Sequence, residues 1–254
     1  MNLIIDCRVF TKRATGVATY AIDAIRAICK YIPDWHLTLV SPKPFHESIV
    51  GLPEDRVDII ISPMFGNAKI PNVVWFHLHF PKIARRLKAD IVWVPRPETP
   101  VLSVGNAKRM ITVHDVVGKE FRQTMTWKVR LFALPFVDIS IRKADLIWCN
   151  SNYTFGKLNE YYPDRKQMAS VVGDSCSTKF QKINVSEQDK HSVYTEYGIK
   201  KGFILFVGTL EPRKNLSFLL QIMPEIYNRT GYKLLIVGAS GWKNSDVATT
   251  TKMQ

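Results

Sequence analysis

Apolar runs four to five residues long recur along the chain and predict strands: LIID at 3–6, LTLV at 37–40, VDIII at 57–61, IVWV at 91–94, MITV at 110–113, LIWC at 146–149, FILFV at 203–207 and LLIV at 234–237. Most are continuous rather than alternating, as expected for strands of a parallel sheet covered on both faces. Segments of helical length separate most of them. Residues 17–32 (VATYAIDAIRAICKYI) place Tyr20, Ala24, Ala27, Ile28 and Tyr31 on one predicted face. Further helices are predicted over 127–143, 151–160 and 216–228, with Pro135 and Pro224 expected to kink or split two of them. Strands alternating with helices predict an α/β architecture. Two passages, KADIVWVP at 88–95 and KADLIWCN at 143–150, read as similar joints from a helix end into a strand.

The pattern weakens after residue 173, where GDSCSTKFQKINVSEQDKHS is polar and poor in aromatics before FILFVG begins a new buried strand. This reads as a linker. The expected organisation is one domain over 1–175, a linker over 176–200 and the start of a second domain over 201–254.

Composition narrows the function classes. With 46% hydrophobic and 22% charged residues the chain is close to the globular average of about 45–50% and about 25%, which excludes disordered, collagenous and low-complexity classes. The 35 Lys+Arg against 22 Asp+Glu leave a net charge of +13. No recognised nucleic-acid motif accompanies that charge, so no nucleic-acid partner is expected. Cys7, Cys29, Cys149 and Cys176 are scattered, without the paired spacing of a zinc site, and suit a reducing compartment. His77, His79 and His114 could suggest a metal, but His77-x-His79 lies in the aromatic run WFHLHFP with no nearby carboxylate to complete a ligand set, and no metal is expected. The opening MNLIIDCRVF has no basic segment before its apolar run and reads as a first strand rather than a signal peptide, so the expected location is cytoplasmic. NVVWFHLHF and LFALPFVDI fall well short of the ~20 apolar residues of a membrane span. Membrane contact is therefore expected to be peripheral, at the inner face. The basic clusters at 12–16, 84–90 and 127–143, with their aromatic neighbours, suit an anionic lipid surface or a lipid-linked acceptor; each also reads as a solvated face. There is no P-loop and no G-x-G-x-x-G after a strand, which argues against P-loop ATPases and dehydrogenases. Ser151 reads as a helix cap.

The strongest chemical signal is FILFVGTLEPRKNLSFLL. A buried strand ends at Gly208, a polar loop carries Arg213 and Lys214, and an apolar-periodic helix starts near Leu216. Ligands of open parallel sheets bind beyond the carboxyl ends of strands, and a helix N-terminus there favours phosphate through its free N–H groups and dipole. Arg and Lys side by side add a bidentate fork and a compact charge. The competing reading is a solvated loop.

GTLEPRKNL between FILFV and KLLIVGASGW resembles the opening of the C-terminal domain in the retaining, family 4 type of nucleotide-sugar glycosyltransferases with a GT-B fold. The strand, loop and Gly-opened helix of LIIDCRVFTKRATGVATYAIDAIRAI, the His-Asp pair of MITVHDVV and the Ser-centred turn of ADLIWCNSNYTFGKL are similar to that family's N-terminal domain. The resemblance implies a GT-B-like fold of two Rossmann-like parallel-sheet domains, the second incomplete. It makes Arg213 and Lys214 the cations on the donor diphosphate, with Gly208 beside them, and Gly16 a point of close backbone approach to the phosphates. His114 would hydrogen-bond the donor sugar and so count with Arg213 and Lys214 as catalytic, and Asp115 would orient the sugar or face the acceptor. For His114 alone the competing reading is a core histidine.

The implied activity is transfer of a sugar from a nucleoside diphosphate sugar to a polysaccharide or lipid-linked acceptor with retention of configuration. The nucleotide sugar is a substrate and no resident cofactor is implied. Two departures stand out. The family's Asn-Gly turn before the crossover is replaced by Gly173-Asp174, and the family's pair of glutamates separated by seven residues is missing. The chain alone is therefore expected to be weakly active or inactive, or to be a non-catalytic remnant or subunit completed by a partner, with association through its second domain.

Overall fold

In the computed structural model of the protein, residues 1–64, 71–127, 129–174, 182–199, 202–210 and 214–238 are described. The chain divides into two compact units, Met1–Lys179 and Phe180–Gln254.

The first unit is built on a seven-stranded sheet, β1 (Asn2–Asp6), β2 (His36–Ser41), β3 (Val57–Ile61), β4 (Ile91–Val94), β5 (Lys108–Val113), β6 (Leu146–Cys149) and β7 (Met168–Val171), in the order β3-β2-β1-β4-β5-β6-β7. Every pairing is parallel. All six of the predicted strands in this region are present. β7 was not anticipated: its MASV is short, lies at the sheet edge and is mostly exposed, so it carries no apolar run.

Successive side chains of a strand point to opposite faces, and here both faces are buried. Leu3, Ile5, Leu37, Leu39 and Trp93 pack against α1 (Gly16–Tyr31), while Ile4, Val92, Val94, Ile111 and Val113 face the other side. That second face is covered by a chain of short helices. α2 (Asn72–Val74) runs through a π-helical turn, Trp75–His79, into α3 (Phe80–Arg86). α4 (Val117–Glu120) is followed by a second π-helical stretch, Val129–Ala133, which leads into α5 (Leu134–Lys143), and α6 (Asn152–Tyr161) follows β6. Pro135 lies at the junction where the π-helical stretch passes into α5.

The buried face of α1 differs from the expected one. Tyr20 and Ile28 are inside as expected, joined by Ala18, Ala21, Ile22, Ile25 and Cys29, whereas Ala27 and Tyr31 are exposed. Ile22 and Ile25 decide the orientation, because a helix rotates its largest branched side chains into the core at the expense of alanine and a terminal tyrosine.

In the second unit, α7 (Glu187–Glu196) begins at Ser186, whose Oγ accepts the Asp189 N–H at 3.1 Å, and so occupies part of the stretch read as a linker. β8 (Ile204–Val207) and β9 (Leu234–Val237) pair in parallel around α8 (Leu216–Thr230), which runs through Pro224 without a break in the helix.

Trp93 ties the centre of the first unit together. It is fully buried, donates from Nε1 to Thr112 Oγ1 at 3.0 Å, and meets the rings of Tyr20 and Trp148 at 6.4 and 5.3 Å. Trp93→Ala is expected to destabilise the first unit by about 3–5 kcal/mol, read as a lowered midpoint in urea unfolding.

Candidate active site

β1 is followed in the chain by β2 on one side and flanked by β4 on the other, so the connections reverse direction between β1 and β4. Such a switch point opens a crevice outside the carboxyl ends of the strands. Here an ionic cluster occupies it. Asp6 ends β1 almost completely buried, and its carboxylate accepts from Arg8 Nε at 2.8 and 3.0 Å and from the Arg8 backbone N–H at 3.2 Å. Arg8 Nη2 reaches Glu98 beyond β4 at 2.9 Å, and Arg96 Nη2 approaches the other Glu98 oxygen at 2.8 Å. The Arg8 guanidinium also lies 3.6 Å over the Phe76 ring. Burial pulls the Arg8 pKa down, but Asp6 and Glu98 together hold it above its ordinary value. Sequence reasoning did not find this cluster. Its one local signal was an acid and a base two apart, immediately after an apolar strand.

The π-helical turn sets His77 and His79 beside this edge. His77 Nδ1 accepts the Val101 N–H at 3.3 Å, and its ring lies 5.0 Å from Phe76 and 6.0 Å from Phe136. Burial first, then the positive charge of Arg8, pushes the His77 pKa down; His79 is lowered by burial and by Lys82 and Arg86. Among the described residues no three His, Cys, Asp or Glu side chains converge as a metal site.

One strand further on, β5 ends at Val113 and His114 follows, half-buried. His114 Nε2 stands 3.0 Å from the Pro95 carbonyl oxygen. A carbonyl can only accept, so Nε2 carries the proton, leaving Nδ1 as an acceptor in the neutral ring. Tyr20 meets the imidazole edge-on at 4.9 Å, and burial raises its phenol pKa to about 12. The His114 carbonyl accepts from Thr154 Oγ1 at 3.2 Å, and Thr154 lies in the first turn of α6, where Ser151 Oγ caps its N–H at 3.1 Å. Ser151 is thus the expected cap. Asp115 is exposed and accepts the Val117 N–H at 3.1 Å. Gly16 opens α1 one turn before Tyr20, with open space where a Cβ would stand. His114 and the start of α1 therefore lie at one end of the sheet.

Gly208 and Lys214 belong to the second unit. The Gly208 N–H donates to Val237 O at 2.9 Å, and a Cβ on Gly238 would stand 1.9 Å from the Gly208 oxygen, so only glycine at 238 lets the two strand ends close. Lys214 Cε comes within 4.0 Å of the position a Gly208 Cβ would take. Asn215, at φ 52°, then turns the chain into α8, whose first turn has neither a side-chain cap nor an acidic residue. The structure thus brings Gly208 and Lys214 together. Arg213 lies outside the described residues. Gly238 was missed by sequence reasoning, although it ends a strand as Gly208 does.

A family model, Glycosyltransferase Family 4, matches residues 14–172. The chain belongs to that family. Solved structures with the same fold include HepE from Anabaena in complex with UDP and glucose (15% identity, TM-score 0.62, covering 99% of this chain and 65% of that one). A glycosyltransferase from Rickettsia africae (17%, 0.60, 99% and 62%) and the sucrose-phosphate synthase of Thermosynechococcus elongatus (15%, 0.63, 99% and 66%) are similar. The fold is accordingly α/β and GT-B-like, and the chain spans about 65% of the length of such structures. No curated protein matches the sequence.

Two outcomes follow for Glycosyltransferase Family 4 geometry in this chain. Arg8→Met leaves Asp6 buried and unpaired and is expected to cost about 3–5 kcal/mol in chemical unfolding; adding Asp6→Asn should recover more than half of that loss. Because His77 and His79 bind protons less readily folded than unfolded, stability is complete above the ordinary histidine pKa of about 6.5 and declines as pH falls below it. His77→Asn, measured by unfolding between pH 7.5 and 5, should make that decline shallower.

Proposed function

We propose that the chain serves in transfer of a sugar from a nucleoside diphosphate sugar to a polysaccharide or lipid-linked acceptor, with retention of configuration. The carrying observation is the Glycosyltransferase Family 4 match over residues 14–172, which spans His114, Asp115 and the start of α1. HepE, solved with UDP and glucose, supports a nucleotide-sugar donor. In this reading Nδ1 of His114 accepts a hydrogen bond from a hydroxyl of the donor sugar, and Asp115 orients the sugar or faces the acceptor. Gly16 admits a phosphate to the start of α1. Arg213 and Lys214, next to Gly208, neutralise the charge that builds on the leaving diphosphate, which is electrostatic stabilisation of the transition state. No resident cofactor takes part.

The chain works in the cytoplasm, with peripheral contact at the inner face of the membrane. Among the described residues no helix is long and apolar enough to cross a bilayer. Exposed Leu205, Val207 and Val237 on the two-stranded sheet favour association with a further polypeptide.

Calorimetric titration with UDP tests the donor assignment. A charge-assisted contact contributes roughly 1.5–3 kcal/mol, so Arg213→Ala with Lys214→Ala should abolish detectable binding, while Arg85→Ala with Arg86→Ala leaves it nearly unaltered. Equal weakening by both pairs would mean that the +13 charge acts diffusely and that the donor site is misassigned.

A further inference from the structure

The strap that follows β4, residues 95–103, carries Pro95, Pro97 and Pro100. Proline fixes φ, so the strap is stiff and moves as a piece rather than bending residue by residue. It is fastened to the first unit along its length. The Pro95 carbonyl accepts from His114 Nε2 at 3.0 Å, and Glu98 pairs with Arg8 at 2.9 Å. The Thr99 N–H donates to Ser140 Oγ of α5 at 2.9 Å, and the Ser103 carbonyl accepts from Arg85. A further fastening joins the strap to the π-helical turn, where the Val101 N–H donates to His77 Nδ1 at 3.3 Å.

These contacts respond differently to a proton. A guanidinium keeps its protons, a serine hydroxyl does not ionise, and Nε2 of His114 donates in the neutral and the charged ring alike. His77 is the exception, because a backbone N–H can only donate and therefore needs Nδ1 bare. Protonating His77 puts an N–H on Nδ1 facing the Val101 N–H, and the bond is lost. His79, two residues on in the same turn, meets no such conflict. Its Nε2 stands 3.0 Å from Ser62 Oγ, and a hydroxyl can donate or accept as required.

The charged groups facing His77 are Arg8, from the turn after β1, and Glu98, from the strap itself. α5 and the π-helical turn present the uncharged rings of Phe136 and Phe76. Burial and Arg8 disfavour the cation, so the ring is neutral at pH 7 and gains its proton below the ordinary histidine pKa of about 6.5. Once charged, it is drawn to Glu98, the carboxylate that Arg8 and Arg96 already share. Protonation thus acts on the strap twice, by freeing Val101 and by pulling on Glu98. We infer that His77 is a pH-operated latch: neutral, it holds the strap after β4 closed on the π-helical turn, and protonated, it releases the Val101 end. Because the strap begins at the carbonyl that orients His114, opening the latch loosens one support of His114 through the backbone. The latch stands without the sugar-transfer reading; its consequence for a donor at His114 rests on that reading.

The test is an NMR titration of the full 254-residue chain from pH 7.5 to 5, following the histidine rings and the amides of Arg96, Glu98 and Val101. Ring nitrogen shifts should show Nδ1 of His77 bare at pH 7.5 and protonated with a midpoint below about 6.5. The Val101 amide should move upfield with that same midpoint and lose roughly tenfold of its hydrogen-exchange protection as its bond is lost. The Arg96 and Glu98 amides should follow the same curve. His77→Asn offers an acceptor that does not titrate, so all three amides should become indifferent to pH. In His79→Asn they should titrate as in the unsubstituted chain. A Val101 amide that stays unchanged while His77 gains its proton, that follows a different midpoint, or that still titrates in His77→Asn would overturn the latch, as would loss of the titration in His79→Asn. Arg96 and Glu98 amides that do not move would overturn the link to His114. The coincidence of midpoints is read on the unsubstituted chain, so poor folding of either variant leaves the test decisive. UDP binding has no bearing on these signals, and the sugar-transfer reading fails or holds separately.

Discussion

A carboxylate withdrawn from water has to be paired, and Asp6, 1% exposed at the end of β1, is the point from which the carboxyl edge of the first sheet is organised. Arg8 returns to it within two residues, which requires the tight turn Arg8–Thr11 before α1 can start. The same guanidinium reaches across the switch point to Glu98 and covers Phe76, so one side chain fixes the loops after β1 and β4 and anchors the π-helical turn. The desolvation of such a cluster offsets much of its Coulombic gain. Its consequence lies in geometry: the switch point of the sheet is occupied by the Asp6–Arg8–Glu98 cluster.

His114, one strand further on, is held from three sides. The ring is held by Pro95 from the loop after β4, by Tyr20 from α1 and, through its backbone, by Thr154 of α6. Each support comes from a different element, and Tyr20 in turn packs edge-on against Trp93. An imidazole with Nε2 committed to a carbonyl presents one defined acceptor.

The second unit works on a smaller scale. Two strands end in glycines pressed against each other, and the chain leaving the first of them returns with Lys214 lying over Gly208. Gly208 and Lys214 both lie within the short span from the end of β8 to the start of α8. A strand end joined to a helix start is a local construction, which is why its motif is compact in sequence.

For the same reason that motif, the strand positions and the cap at Ser151 could be read from the chain alone. They depend on residues within a few positions of each other: continuous apolar runs for strands covered on both faces, a hydroxyl two to three residues before the N–H it caps, a glycine and two cations between a strand and a helix. The family could be recognised because several such local features recur in a fixed order. Tertiary structure decided what needs distant partners. The rotation of α1 was settled by which side chains the sheet could bury, β7 by the edge of β6 offering it hydrogen bonds, and the Asp6–Arg8–Glu98 cluster by a contact across 90 residues. A pocket of about 190 Å³ beside Asp115 belongs to this second class: Val113 at the end of β5 and Leu134, Val137 and Ile141 on α5 become its lining only when the segment between them folds back.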